Sequence, residues 1–232
     1  MEIFMKQPAL TKRLKRIYDF MGEGDRIVDV GSDHGLLPVY ALMSGKCPCA
    51  FATDISRPSL QKTIDLAQAN GIELGCACCD GLAGVPDGVF DTVVIAGMGG
   101  LLIADILKQN PLHSVKKYIL QPMTAQYELR QYLNRNQYSI LQEALVKEDG
   151  KIYNILTAVP NRGQKLSEKE LRLGFGVENE PLYEEYLERK ISRIKMILAN
   201  LQHSRTESGK KQEAAALLAL YENCQKSFIK IK

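Results

Sequence analysis

Apolar residues open the chain at steps of four, three and four: Leu10, Leu14, Ile17 and Met21. That spacing draws one stripe along a helix of 3.6 residues per turn. It predicts a helix over residues 9–21, ended by Gly22-Glu23-Gly24-Asp25, with Lys12, Arg13, Lys15 and Arg16 on its other side. The period then changes. Short apolar runs at 26–30, 50–53, 72–79, 91–96 and 117–120 read as strands, and each stops at a glycine, an aspartate or a Gln-Pro pair. Helical stretches separate them: 36–43, a run of roughly 14 residues capped by Ser56 with Pro58 in its first turn, a run ending at Leu107, and 124–136.

Strands alternating with helices predict a parallel sheet covered on both faces. The last two strand-like runs, 138–148 and 151–159, are joined directly through Asp149-Gly150, a strong hairpin signal. The expected fold is therefore an α/β, Rossmann-like sheet of the class I methyltransferase kind, mostly parallel with an antiparallel last strand. Pro160-Asn161-Arg162-Gly163 marks the expected domain boundary, giving a first domain over 1–160 and a second over 161–232. In the second, Leu187, Ile191, Ile194, Leu198 and Leu201 form one stripe and Leu217, Tyr221, Cys224 and Phe228 another, with a break at Ser208-Gly209. Two such stripes predict an antiparallel helical hairpin, coiled-coil-like, with Pro181 at its start.

Composition changes this picture little. The 232 residues are 45% hydrophobic and 25% charged, ordinary for a soluble globular protein. A net charge of +3 is too small to mark a nucleic-acid-coating protein, so the clustering of basic residues carries more meaning than the total. The six cysteines include a single pair at Cys-x-x-Cys spacing, Cys76 and Cys79, with no second pair to complete a zinc ribbon; a zinc or thioredoxin-type site is not expected. Cys76 and Cys78 share one face of a predicted strand and are expected to pack in the core as small hydrophobes. The chain shows no secretory apolar region and no run near the ~20 residues of a membrane span. The expectation is a reduced, cytoplasmic protein with no metal and no stable protein partner.

Candidate chemistry gathers at the strand ends, where such sheets bind ligands. Asp29-Val30-Gly31-Ser32-Asp33-His34-Gly35 follows the first strand. Gly31 and Gly35 permit a tight turn, but the G-x-G-x-x-G spacing that admits a pyrophosphate is absent and Asp33 stands between them. A carboxylate there repels a dinucleotide; it suits S-adenosylmethionine, which carries an ammonium and a sulfonium. Asp54, 23 residues after Gly31, is placed to take ribose hydroxyls, with Ile55 beside it. Asp80 and Gly81 end the third strand, where the aspartate can accept from the cofactor's adenine amine. Ile95-Ala96-Gly97-Met98-Gly99-Gly100 ends the fourth, and its glycines allow a flat base to approach the backbone.

Together D-V-G-S-D-H-G with L-P two residues on, D-G-L, I-A-G-M-G-G and L-Q-P resemble the bacterial tRNA (adenine-N(1))-methyltransferases that act on position 22. The resemblance covers almost the whole chain. It implies methyl transfer to the Watson–Crick-edge nitrogen of a tRNA adenine, and a cofactor site lined by Gly31, Asp33, His34, Asp54, Asp80 and Gly97. Where family members read L-Q-P-N, this chain has Met123, leaving Gln121 as the polar group for the target base.

Asp33 or His34 is expected to stabilise the cationic product or accept its proton. Tyr153, Met98 and Met123 are candidate stacking surfaces for a base swung from its stack. Lys12, Arg13, Lys15 and Arg16, with Arg189, Lys190, Arg193 and Lys195, are expected phosphate contacts. The rival readings are a small-molecule methyltransferase, a non-catalytic RNA- or protein-binding scaffold, and a nicotinamide oxidoreductase, the last opposed by Asp33.

Overall fold

The structure is a computed structural model and describes residues 7–201 and 208–231. They divide into two compact units at Leu166/Ser167.

The first unit holds a seven-stranded sheet in the order β3-β2-β1-β4-β5-β7-β6. Its strands are β1 (Arg26–Val30), β2 (Cys49–Asp54), β3 (Gly75–Cys78), β4 (Thr92–Gly99), β5 (Lys117–Thr124), β6 (Ser139–Glu148) and β7 (Lys151–Val159). Neighbours from β3 to β5 pair in parallel, and β7 pairs antiparallel with both β5 and β6. So β7 alone runs against the rest. A two-residue Asp149-Gly150 turn, both at positive φ, forces that reversal.

Helix α1 (Lys12–Phe20) precedes the first strand, and α2 (Leu36–Met43), α3 (Arg57–Ala69), α4 (Gly100–Lys108) and α5 (Gln126–Arg135) connect strands. Ile17, Phe20 and Met21 from the α1 stripe join Leu37 and Ala41 of α2 on Ile27, Val94, Ile119 and Ile155 of the sheet. The alternate strand residues Val28, Val93, Ile95 and Leu120 are buried too, so both faces are covered.

Several boundaries differ from expectation. Thr11 caps α1, its side chain accepting from the Leu14 N–H, so the helix starts later than predicted. β3 is shorter than 72–79 and lies at the sheet edge, and Cys78 is exposed while Cys76 is half-buried. The expected core role for these thiols is thus corrected: an edge strand has only one neighbour to bury it. β4 and β5 both run past their predicted ends, through Gly97-Met98-Gly99 and Gln121-Pro122-Met123. A register shift between Ala96 and Met98 lets the glycine-rich run stay paired instead of turning away.

Residues after Val159 stay with the first unit. The N–H groups of Arg162 and Gly163 donate to the Gln137 carbonyl, and the Leu166 N–H donates to the Asn134 side chain.

The second unit begins with α6 (Glu168–Leu173), an element the apolar stripes did not reveal. A reciprocal capping box between Ser167 and Glu170 sets its start. A short 3-10 turn (Val177–Asn179) precedes α7 (Tyr183–Leu201), and α8 (Ser208–Ile231) follows. Tyr183 meets Phe228 edge-on at 5.1 Å between ring centroids, and Lys195 pairs with Glu222 at 3.1 Å. Sequence number rises along one helix as it falls along the other, so α7 and α8 are antiparallel. The expected break falls before Ser208, which already begins α8; the connecting turn lies outside the described residues. Among the described residues no helix is long and apolar enough to cross a membrane.

Candidate active site

The strand order reverses direction between β1 and β4, the switch point at which such sheets open a crevice. The loop leaving β1 turns back hard. The N–H groups of Gly31 and Ser32 both donate to the Thr53 carbonyl, at 2.8 and 3.1 Å, which ties the loop to the tip of β2. Gly31, Asp33 and Gly35 all have positive φ. At Gly31 a Cβ would fall 2.3 Å from the Met98 methyl, and at Gly35 2.7 Å from Thr63 Cγ2. Gly35, which also faces the Thr63 backbone at 3.0 Å, is required by space as well as by conformation; at Gly31 the Met98 methyl can swing away, and the positive φ is what asks for glycine. The crevice has a volume of about 350 Å³, with Asp29, Ser32, Asp33 and His34 on one wall, Ala96 and Gly97 on another, and Thr11, Arg13 and Leu14 of α1 across from them.

Two buried carboxylates stand at this end of the sheet: Asp29, which lines the crevice, and Asp54 at the tip of β2. Asp29 is 6% exposed; burial pushes its carboxyl up to about 6, against the opposing effect of a hydrogen bond from Ser32. Asp54 accepts the Asp33 N–H on one oxygen (3.2 Å) and the Ser56 N–H on the other (2.8 Å). Each oxygen keeps a lone pair for a further donor. Ile55, the next residue, is 76% exposed, an open apolar surface among the described residues. Asp33 and His34 are exposed at the mouth, 3.6 Å apart. Asp80 and Gly81 stand apart from this crevice. They line a smaller cleft with Leu102, Asp105 and Ile106.

The tips of β4 and β5 are locked together by Gln121. Its Oε1 accepts from the Gly97 N–H at 3.1 Å and from Arg13 Nη1 at 2.6 Å, and the residue is fully buried. This corrects the expectation that Gln121 faces the target base: its carbonyl oxygen serves two donors inside the protein, and its amide points to Met123 Sδ. Met123 is 40% exposed and remains available as an apolar surface.

Arg13 also departs from expectation. Glu148 accepts its backbone N–H at 2.8 Å and lies 3.6 Å from its guanidinium; the guanidinium sits 5.6 Å from the Tyr153 ring centre. Tyr153 thus supports an arginine. Burial would raise the Glu148 carboxyl, but hydrogen bonds from Arg13 and Thr11 together with the Arg13 charge hold it below the usual range. A signal for the inward placement was present: Arg13 stands three residues after Leu10 and four before Ile17, beside the apolar stripe.

The other basic residues are on the surface. Lys12 is exposed. Lys15 bonds Asp19 at 2.5 Å, and Arg16 lies over the Phe20 ring. In the second unit Arg189 pairs with Glu185 and Lys195 with Glu222, Lys190 lies over the Tyr186 ring, and Arg193 is exposed.

Comparison with known proteins places this geometry in a family. A Bacillus subtilis tRNA (adenine(22)-N(1))-methyltransferase is 33% identical over 158 residues, 66% of this chain and 66% of its own length, just under two thirds. A Streptococcus pneumoniae protein solved in complex with S-adenosyl-L-methionine superposes with a TM-score of 0.84 at 26% identity, covering 94% of this chain and 100% of that one. The TrmK of M. capricolum, bound to S-adenosyl-homocysteine, superposes with a TM-score of 0.82 at 26% identity, over 94% of this chain and 98% of that one. The family model described as TrmK, tRNA (adenine(22)-N(1))-methyltransferase, matches residues 27–223. By that match over most of its length, the chain belongs to the TrmK family.

Proposed function

We propose that this protein transfers a methyl group from S-adenosylmethionine to ring nitrogen 1 of the adenine at position 22 of tRNA, in the cytoplasm. One observation carries the reading: buried carboxylates stand at the carboxyl ends of adjacent parallel strands, Asp29 as the penultimate residue of β1 and Asp54 as the last of β2, beside a loop with no spacing for a pyrophosphate. That donor set fits a cationic, phosphate-free nucleoside cofactor. A small-molecule methyltransferase shares the cofactor but has no use for the basic clusters on α1 and α7. A scaffold has no use for the buried acids.

Bound S-adenosylmethionine supplies an electrophilic methyl group carried on a sulfonium. Around it, Asp54 takes ribose hydroxyls through its remaining lone pairs, and Ile55 offers an apolar face to the adenine. Asp29, steadied by Ser32, faces the ammonium. Gly97, with no side chain of its own, leaves room between cofactor and target base, and the Met98 methyl packs over Gly31. The N1 lone pair of the target adenine forms the new N–C bond as the C–S bond breaks toward sulfur. The main task is in-line placement, which can supply roughly 7–11 kcal/mol of barrier reduction. Asp33, exposed at the mouth, stabilises the cationic product ring or takes the proton its amine releases, and His34 beside it holds the cofactor carboxylate. Asp80 contributes only by reaching the adenine amine from its own cleft.

Incubation of unmodified tRNA with methyl-labelled S-adenosylmethionine, followed by nucleoside analysis, tests this directly. Label in 1-methyladenosine at position 22 is expected. Absence of label from the tRNA, with cofactor bound, would overturn the tRNA assignment.

A further inference from the structure

We propose that Arg13 is a positioning residue for methyl transfer, acting through Gln121 on the tip of β4. This deepens the function proposed above and rests on it for its kinetic readout.

The argument runs along one chain of contacts. Gln121 joins the strands at the bulge, where Gly97 adopts φ +78° and lines the crevice. The side-chain amide of a glutamine has nearly the same shape with its oxygen and nitrogen exchanged. Only the oxygen can accept the Gly97 N–H. With Gln121 fully buried, the group that decides which end faces Gly97 is the other donor on Oε1, the Arg13 guanidinium at 2.6 Å. If the amide turned over, its NH₂ would face two N–H donors, and both would lose their acceptor in a buried site.

Arg13 is fixed in turn. Glu148, at the end of β6, holds both its backbone N–H and its guanidinium, and the Tyr153 ring lies against the guanidinium. Its charge is answered by Glu148 inside the protein, which suits a group standing beside a centre that gains positive charge. A phosphate-binding arginine would present that charge to solvent; the Arg13 side chain is 22% exposed. The path Glu148–Arg13–Gln121–Gly97 therefore carries the position of α1 to the backbone that receives the base.

The test compares Arg13→Met, Gln121→Leu and the double variant. Each single change is expected to lower kcat at least tenfold, with KM for tRNA within twofold and the salt dependence of tRNA binding unchanged. The double variant should lose no more than the worse single one, because both changes break the same link. Multiplying losses would overturn the proposal. So would a raised KM with a shallower salt slope and an intact kcat, the pattern of a phosphate contact. Should Arg13→Met fail to fold, Arg13→Lys keeps the charge; one ammonium cannot serve Glu148 and Gln121 in the same geometry. It should still cost several-fold in kcat, and wild-type turnover from it would overturn the idea. A second readout does not involve tRNA. Exchange of the Gly97 amide proton in the ligand-free protein should quicken at least tenfold in the Arg13 variant that folds; unchanged exchange refutes the link. If the wild-type protein methylates no tRNA, the functional reading fails while the exchange experiment still judges Arg13.

Discussion

A buried carboxylate that must meet a cation carries a cost until the cation arrives, and the function proposed above makes Asp29 such a group. Burial raises its pKa to about 6 from an unfolded value near 3.9. The folded protein therefore holds a proton that the unfolded chain releases between about pH 4 and pH 6. Stability from this group falls as pH rises through that window and is fully lost above it, by about 3 kcal/mol at most. Asp29→Asn still accepts from Ser32 but does not ionise. Its stability relative to the wild type should climb between pH 4 and pH 7 in urea titrations, and parallel curves would refute the assignment. A bound ammonium reverses the balance by favouring the ionised form. Cofactor affinity of the wild type should then weaken below pH 6, with proton uptake on release, and the Asn variant should lose that pH dependence in calorimetry.

Sequence was informative about individual residues where chemistry and chain punctuation coincide. Asp29, Gly31, Asp33 and Asp54 stand within three residues of the ends of β1 and β2, and Gly97 near the tip of β4; the fold brings them, or their direct hydrogen-bond partners, to one crevice. Arg13 and Gln121 were misread because their partners lie far away in the chain. Arg13 bonds Gln121 and Glu148 across 108 and 135 positions, distances over which no local pattern operates. The buried ion pair of Arg130 with Glu143, joined by Asn154, was invisible for the same reason: each of those residues alone reads as an exposed helix or strand position.

At the scale of elements, short apolar runs bounded by turn residues located every strand of the sheet, and Asp149-Gly150 located the antiparallel ending. It did not locate the ends of β4 and β5. Glycine and proline read as punctuation, yet the Ala96/Met98 bulge lets a glycine run continue a strand. It also missed α6, six residues long, too short for a stripe, although Ser167-x-x-Glu170 was a readable cap. The junction of β4 with α4 yields a decisive substitution. Gly100 opens α4, where alanine would ordinarily favour the helix by about 1 kcal/mol. A Cβ there would lie 2.3 Å from the Ala125 carbonyl oxygen and 2.9 Å from the Thr124 oxygen, both backbone atoms that cannot rotate away. The clash should win, and Gly100→Ala should destabilise the fold by about 1–3 kcal/mol while depressing methyl transfer through the displaced β4 tip. Gly24→Ala, with nothing within 4 Å of the added carbon, should cost only the left-handed backbone penalty of about 1–2 kcal/mol. Denaturant midpoints together with activity separate the two: loss of turnover in the folded Gly24 variant, or none in the Gly100 variant, would contradict the argument.

For the whole molecule the question is how a protein of net charge +3 engages a polyanion. A field that weak steers little at physiological salt, so affinity must come from local cations, and two separate sets are available. On α1 these are Lys12, Lys15 and Arg16; on α7 they are Arg189, Lys190, Arg193 and Lys195. Their surroundings rank them. Lys15 already bonds Asp19, Arg189 pairs with Glu185 and Lys195 with Glu222, and to reach a phosphate each must exchange one anion for another. Exposed one-to-one pairs are worth about 0–1 kcal/mol, so the exchange is possible but its gain is small. Lys12 and Arg193 are exposed and should contribute most. Each phosphate contact adds close to one unit to the slope of log affinity against log salt. Lys12→Ala and Arg193→Ala should therefore each flatten the slope by about one while leaving kcat at saturating tRNA near the wild-type value; Lys15→Ala should flatten it less. A titration of labelled tRNA from low to high salt reads all three. An unchanged slope for Arg193→Ala would remove the α7 set from the interface and leave the first unit to hold the tRNA alone. An unchanged slope for both exposed variants would mean that shape and base contacts, rather than phosphate neutralisation, hold the substrate.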